Sequence, residues 1–194
     1  MPSQSGEPRV SVLKEVEVAL VEALGVQPAR ASVSFVGVEP IEILRFDTGD
    51  VVSYISLGMS RDPMTSADQS EVQTDGPRAE LMLQARVREG EAWQRLAVLA
   101  AAPVVEGLVY RPGMTVDLGV AIVADSRCTG GVVVASALAS IATSAGLVDV
   151  MRVLPATANE LAWARVRGSE ALTERWDDYG ADLLDLGRTE VRLD

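Results

Sequence analysis

Ser32-Val-Ser-Phe-Val-Gly-Val-Glu-Pro-Ile-Glu-Ile-Leu-Arg-Phe46, followed by Val51-Val-Ser-Tyr-Ile-Ser-Leu57, is the stretch on which the fold turns. Its side chains alternate. Val33, Phe35 and Gly37 take one side of an extended chain, and Ser32, Ser34, Val36 and Val38 the other. Pro40 is expected to end this first strand. Ile41, Ile43 and Arg45 then alternate with Glu42, Leu44 and Phe46 in a second, and residues 51–57 form a third after the turn Asp47-Thr-Gly-Asp50. Short turns between consecutive strands predict an antiparallel meander.

Working outward, Leu13, Val16, Leu20 and Leu24 fall at helical spacing, so residues 11–24 are expected to form a helix, capped by Gly25. The residues before it, 1–10, carry Pro2, Gly6 and Pro8 and lack the basic and apolar regions of a signal peptide, so they are expected to be a disordered lead-in to one domain over 11–194. After the meander, residues 61–78 are polar and aperiodic, a long loop of the kind that is mobile or forms a binding surface. Residues 79–88 resume as a strand. A short helix over 93–101 is expected to end at Pro103. Strands are expected at 104–110 and 114–123 around Arg111-Pro-Gly113, with Gly130-Gly131 preceding a further one. The most apolar strands, 132–138 and 147–154, belong at the centre of the sheet.

Thr157-Ala-Asn-Glu160 has the capping-box pattern and starts a helix, and a second helix runs over about 169–179. These elements together predict an α+β domain: a mixed, largely antiparallel sheet with helices packed on it.

Composition narrows the chemistry. The 194 residues carry 17 basic and 28 acidic side chains, a formal charge of −11, which repels phosphate backbones and argues against a nucleic-acid partner. There is no histidine and one cysteine, Cys128, so a zinc site of His and Cys, a Ser-His-Asp triad and an internal disulfide are all excluded. Residues 128–148 form 21 uncharged positions, long enough to cross a bilayer. Their serines, threonines and glycines favour instead two strands around a turn at Ser144-Ala145-Gly146. Asp177, Asp178 and Asp182 match no calcium-loop pattern. Trp93, Trp163 and Trp176 read as packing residues. No metal or cofactor is implied.

Several motifs then align with a known family. The stretch 32–46 leads to Tyr54-Ile-Ser-Leu-Gly-Met-Ser60, then Gly76-Pro-Arg-Ala-Glu-Leu81, the Trp93 helix and Leu154-Pro-Ala-Thr-Ala-Asn-Glu-Leu161. In this order they resemble the bacterial branch of the Suppressor-of-fused family over roughly residues 30–190. The resemblance implies an α+β domain that binds protein and is not an enzyme. It further implies an immunity protein of the cytoplasm, neutralising a polymorphic toxin, or a regulator that captures an extended partner segment. Tyr54, Gly58, Met59, Ser60, Arg78 and Glu80 are the partner-binding residues so implied. Each has a local reading too: Gly58 as a turn glycine, Ser60 as a cap, and Arg78 and Glu80, two apart on one strand face, as members of a structural ion pair. The acidic segment 169–194 is either a solvated face or a surface for a basic toxin domain. A small carboxylate- or metal-dependent hydrolase is the alternative, although nothing in the sequence selects one carboxylate pair over another.

Overall fold

The computed structural model describes residues 7–68, 75–86 and 91–194. The meander forms as its alternation predicts. Strands β1 (Ala29–Phe35), β2 (Val38–Asp47), β3 (Val51–Leu57) and β4 (Arg78–Arg86) pair antiparallel in sequence order. The chain then adds β5 (Thr115–Asp117), β6 (Cys128–Ala135), β7 (Ile141–Thr143) and β8 (Gly146–Thr157). The order across the sheet is β1-β2-β3-β4-β8-β6-β5, with β7 also pairing β8. Among the described residues only the β4–β8 pair is parallel. The fold is therefore the mixed, largely antiparallel α+β sheet expected, and β8 and β6 take interior places as their apolar content requires.

Helices cover both faces. Helix α1 (Glu7–Leu24) buries Val12, Val16 and Leu20 on Leu44, Phe46, Ile55 and Val150. Helix α2 (Ala92–Glu106) buries Leu96, Ala97 and Ala100 on the opposite face, against Ile43, Tyr54, Leu81 and Val153. Helices α3 (Ala158–Arg167) and α4 (Ser169–Asp178) return to the α1 side of the sheet, where Leu161, Leu172 and Trp176 pack on Val132 and Leu154. The capping box is present: the Glu160 amide donates to Thr157 Oγ1, and the Glu160 carboxylate accepts from the Thr157 amide.

Several expectations need correction. Pro40 lies inside β2. The β1 register shifts between Val33 and Phe35, and β3 pairs only from Glu42 onward, so no ladder bond needs a donor at position 40. Pro103 lies within α2 and does not end it. Lacking an N–H, it leaves the Leu99 carbonyl free, and the Tyr110 hydroxyl donates to that oxygen at 2.7 Å. Residues 104–110 are thus the end of α2 and an irregular return anchored by the buried Tyr110, not a strand. Of the strand expected over 114–123, three residues form it, because Asp117 turns the chain by accepting from the Gly119 amide. Gly130 and Gly131 stand inside β6. A Cβ on Gly130 would lie 2.0 Å from the Val116 carbonyl oxygen, and one on Gly131 2.4 Å from that of Leu154.

The uncharged stretch 128–148 folds as β6, β7 and the start of β8. No helix among the described residues is long and apolar enough to cross a membrane. Helix α1 starts at Glu7, four residues before its expected start, and residues 1–6 of the expected lead-in lie outside the described residues. So do residues 69–74 of the long loop and 87–88 of the strand expected over 79–88.

Candidate partner-binding cleft

Pairing between β3 and β4 stops at Ile55 opposite Met82. Beyond that point side chains replace the ladder. Ser56 Oγ accepts from the Leu81 amide at 2.9 Å and donates to Glu80 Oε2 at 2.5 Å. Gly58, at φ 142°, turns the chain into a short 3-10 turn, Met59–Arg61. Three donors of this turn converge on Glu80 Oε1: the Gly58 amide and the Ser60 amide, both at 2.9 Å, and the Ser60 hydroxyl at 2.6 Å. Arg78, two residues earlier on the same strand, serves the turn's acceptors. Its Nη1 donates to the carbonyls of Ser60 at 2.9 Å and Arg61 at 2.8 Å. Glu80 thus takes the donors of the turn and Arg78 its carbonyls.

This placement changes what the expected site residues can do. Tyr54, Met59, Ser60 and Glu80 are exposed by 4 %, 3 %, 0 % and 0 %, Gly58 is buried, and Arg78 is partly buried. β3 and β4 are interior strands, so neither offers a free edge. Burial pushes the Glu80 carboxyl above its usual pKa, against the hydrogen bonds from Ser56, Ser60 and Gly58 that favour the anion. Gly58, Ser60, Arg78 and Glu80, with Ser56, form a brace, and Tyr54 and Met59 pack in the core under α2. A Cβ on Gly58 would come within 3.4 Å of Ile41 Cα, so β2 passes directly over the turn.

Above this brace lies a cleft of about 160 Å³. Gly58, Met59 and Ile41 line it with Gly37, Val38 and Glu39 of the β1–β2 hairpin, Arg61 and Asp62 after the turn, and Ala100 and Val104 of α2. Arg61 crosses one wall, its Nε 2.9 Å from Glu39 Oε2 and its Nη2 donating to the Pro40 carbonyl at 3.2 Å. Val104 of its lining is 59 % exposed, and Val36, next to Gly37 at the hairpin tip, is 105 % exposed. The nearby loop is pinned, since the Met64 amide donates to the Pro77 carbonyl and the Ala67 amide to that of Gly107. Of the six expected residues only Gly58 and Met59 reach the cleft. Val36, Glu39, Arg61 and Val104 were missed. Their positions depend on the hairpin turn at Gly37 and on α2 continuing past Pro103, neither of which the alternation or the proline announced.

The acidic segment 169–194 contains a second brace. Buried Glu160 accepts from the Arg188 guanidinium through both oxygens at 2.8 Å, from Trp176 Nε1 at 3.0 Å and from the Val191 amide at 3.1 Å. Asp182 pairs with Arg86 at 2.6 Å and Asp194 with Arg192 at 2.6 Å, so part of this acidity is internally neutralised. A hollow of about 530 Å³ between α3, α4 and the chain end is lined by both charge signs, including Arg167, Glu174, Arg175 and Asp178. Among the described residues, no three His, Cys, Asp or Glu side chains group as metal ligands would.

Comparison with known proteins identifies the architecture. The sequence profile of the family described as Suppressor of fused protein (SUFU) matches residues 37–189. A search of curated protein sequences returns no match. Among solved structures, a SUFU homolog from Neisseria gonorrhoeae superposes with a TM-score of 0.70 at 16 % identity, over 93 % of this chain and 97 % of that one. The Sufu–Fu complex gives 0.67 at 13 % identity, over 93 % and 92 %. Drosophila Suppressor of Fused gives 0.66 at 15 % identity, over 93 % of this chain and 51 % of that one. At such identities the superpositions speak for the fold, while the profile match covers most of the chain: it belongs to the Suppressor of fused family.

Proposed function

We propose that this domain is a non-enzymatic protein-binding module that holds an extended segment of a partner protein in the cleft above Gly58. The observation that carries the proposal is the contrast between floor and rim. The floor is fixed by buried hydrogen bonds to Glu80 and Arg78, and the rim presents exposed Val104 beside the Glu39–Arg61 pair. A preorganised floor lowers the ordering cost of binding, and apolar anchors on the rim supply affinity. β1 is an outer strand of the sheet and ends next to this cleft, so an extended segment seated there can continue along it by main-chain pairing. The solved Sufu–Fu complex supports a protein-binding role, because it shows a related fold in complex with another protein. We further propose that the partner is a basic toxin domain and that this chain acts as its immunity protein in the cytoplasm. The net charge of −11 favours fast capture of a basic partner at low salt.

The test uses the tagged full chain and its Val104→Glu variant as baits at low salt in extracts of the native host, together with co-expression against a toxin encoded by a neighbouring gene. The expected outcome is a protein retained by the parent chain, and rescue of growth. Val104→Glu should weaken both, costing about 2 kcal/mol, roughly thirtyfold in Kd, with an unchanged melting temperature. A chain that retains no protein partner, or equal retention by the two baits, would overturn the cleft as the binding site.

A further inference from the structure

Along β8, Val150, Arg152 and Leu154 point to the α1 side of the sheet, while Met151 and Val153 belong to the core under α2. Val150 packs in the core beneath α1, and Leu154 in the separate core beneath α3 and α4. Arg152 therefore stands at the seam between two helical blocks, flanked through the sheet register by Met82 on β4 and Val134 on β6. Two residues beyond Met82, Gln84 donates to Ser53 Oγ at 3.0 Å, so the sheet beside the seam carries an amide and a hydroxyl. No carboxylate joins them. Arg152 makes no hydrogen bond or ion pair among the described residues, its Nε is buried without a partner, and burial alone lowers its pKa.

A partly buried guanidinium in this position is costly. Burial removes water from a permanent charge, and proteins that tolerate this usually provide a counter-charge. Here no acidic side chain among the described residues pairs with it. Glu80, on the same face of β4, is occupied by the 3-10 turn. Asp149, on the opposite face of β8, accepts from Ser140 at 2.6 Å.

We infer that the seam at Arg152 is a carboxylate-binding site, and that it receives an aspartate or glutamate side chain of a bound polypeptide. The planar fork of arginine matches the two oxygens of a carboxylate, and an apolar flank of Met82 and Val134 strengthens that pairing by excluding water. The source of the carboxylate rests on the protein-binding reading, but the seam itself is independent of the cleft. The cleft is built from the β1–β2 hairpin, the 3-10 turn and α2, whereas the seam lies on the α1 side of the sheet, so Val104→Glu and Arg152→Met separate the two.

The test is carried out on the full chain with sodium acetate as the probe and sodium chloride at equal ionic strength as the control. The Arg152 Nε–H resonance should shift saturably with acetate and stay still in chloride. Arg152→Met should melt higher than the parent in chloride, because an unpaired charge has been replaced by an apolar chain of similar length. It should also lose the acetate-dependent rise in melting temperature that linkage gives the parent. A glutamate-containing peptide should compete with acetate. If Arg152→Met melts lower and acetate raises both proteins equally, Arg152 is structural and the inference fails. It fails equally if inorganic phosphate saturates the site at lower concentration than acetate or the peptide, since the site would then select phosphate.

Discussion

Replacing Glu160 by Gln probes the brace on which the last forty residues depend. Glu160 is fully buried and Arg188 is 7 % exposed. Oε1 accepts from Trp176, Arg188 and Val191, and Oε2 from Thr157 and Arg188. A glutamine amide of the same shape would set an N–H₂ group against donors on one side and leave the guanidinium without a counter-charge. Removing one member of a buried ion pair costs about 3–5 kcal/mol. For a chain of this length, that lowers the melting temperature by about 6–20 °C.

Urea unfolding followed by tryptophan fluorescence reads the change directly, because Trp176 lies in the brace. Arg188→Met and the double variant complete a cycle, and the double variant should be more stable than the sum of the singles predicts, since no orphaned charge is left. Burial acts to raise the Glu160 pKa, yet the Arg188 fork, the Thr157 amide and the Trp176 indole together hold it below 4.5. Its contribution is therefore present above about pH 4.5 and is lost as pH falls through the lowered value. A loss below about 1 kcal/mol for Glu160→Gln would refute the reasoning, since that is the range of an exposed pair.

Two further predictions concern the sheet. Glu80 has the opposite linkage: its pKa is raised by burial, so the native state holds the proton more tightly, and stability declines as pH rises from 4.5 through the raised value. Glu80→Gln should remove that decline, and a stability–pH profile that keeps the same slope in the variant would contradict the assignment. Gly130→Ala should cost about 3 kcal/mol, at the upper end for overpacking, because its methyl group would meet the Val116 carbonyl at 2.0 Å and push β5 off β6. Faster exchange of the Leu118 amide, which donates to Thr129, is the local readout.

What the sequence disclosed divides along a physical line. The meander, α1 and the capping box depend on neighbours within a few residues, so alternation, helical spacing and the Thr157–Glu160 interval were sufficient. The misreadings at Pro103, Gly130 and Gly131 have remote causes. Pro103 reads as a helix end until Tyr110 is seen to take up the carbonyl it releases. Gly130 and Gly131 read as preceding a strand until the backbones of Val116 and Leu154 are seen to press on them inside β6. Arg78 and Glu80 lie two apart near the start of β4, as their spacing predicts, but the sequence alone does not say what they hold. Whether a charged pair at a strand start reaches solvent or grips a turn is decided by where β3 leaves β4, twenty or more residues away in sequence.

The two braces bury two carboxylates of this acidic protein in different ways. Glu80 is held by two serine hydroxyls and two amides, and Glu160 by a guanidinium, an indole and two amides. The first can be occupied by a protonated acid, because Ser56 Oγ can accept a hydrogen bond from the carboxyl as well as donate one to it. The second depends on the charge. Substitutions in either brace therefore change folding stability, whereas the exposed residues lining the cleft, Glu39 and Val104, carry little of the core's energy. Divergence of partner choice should accordingly occur at the rim, with the brace retained. A set of rim variants that change partner affinity at constant melting temperature, beside Gly58 or Glu80 variants that lose stability and binding in proportion, is the pattern this division requires. Rim changes that alter melting as strongly as binding would mean that floor and rim are one cooperative unit.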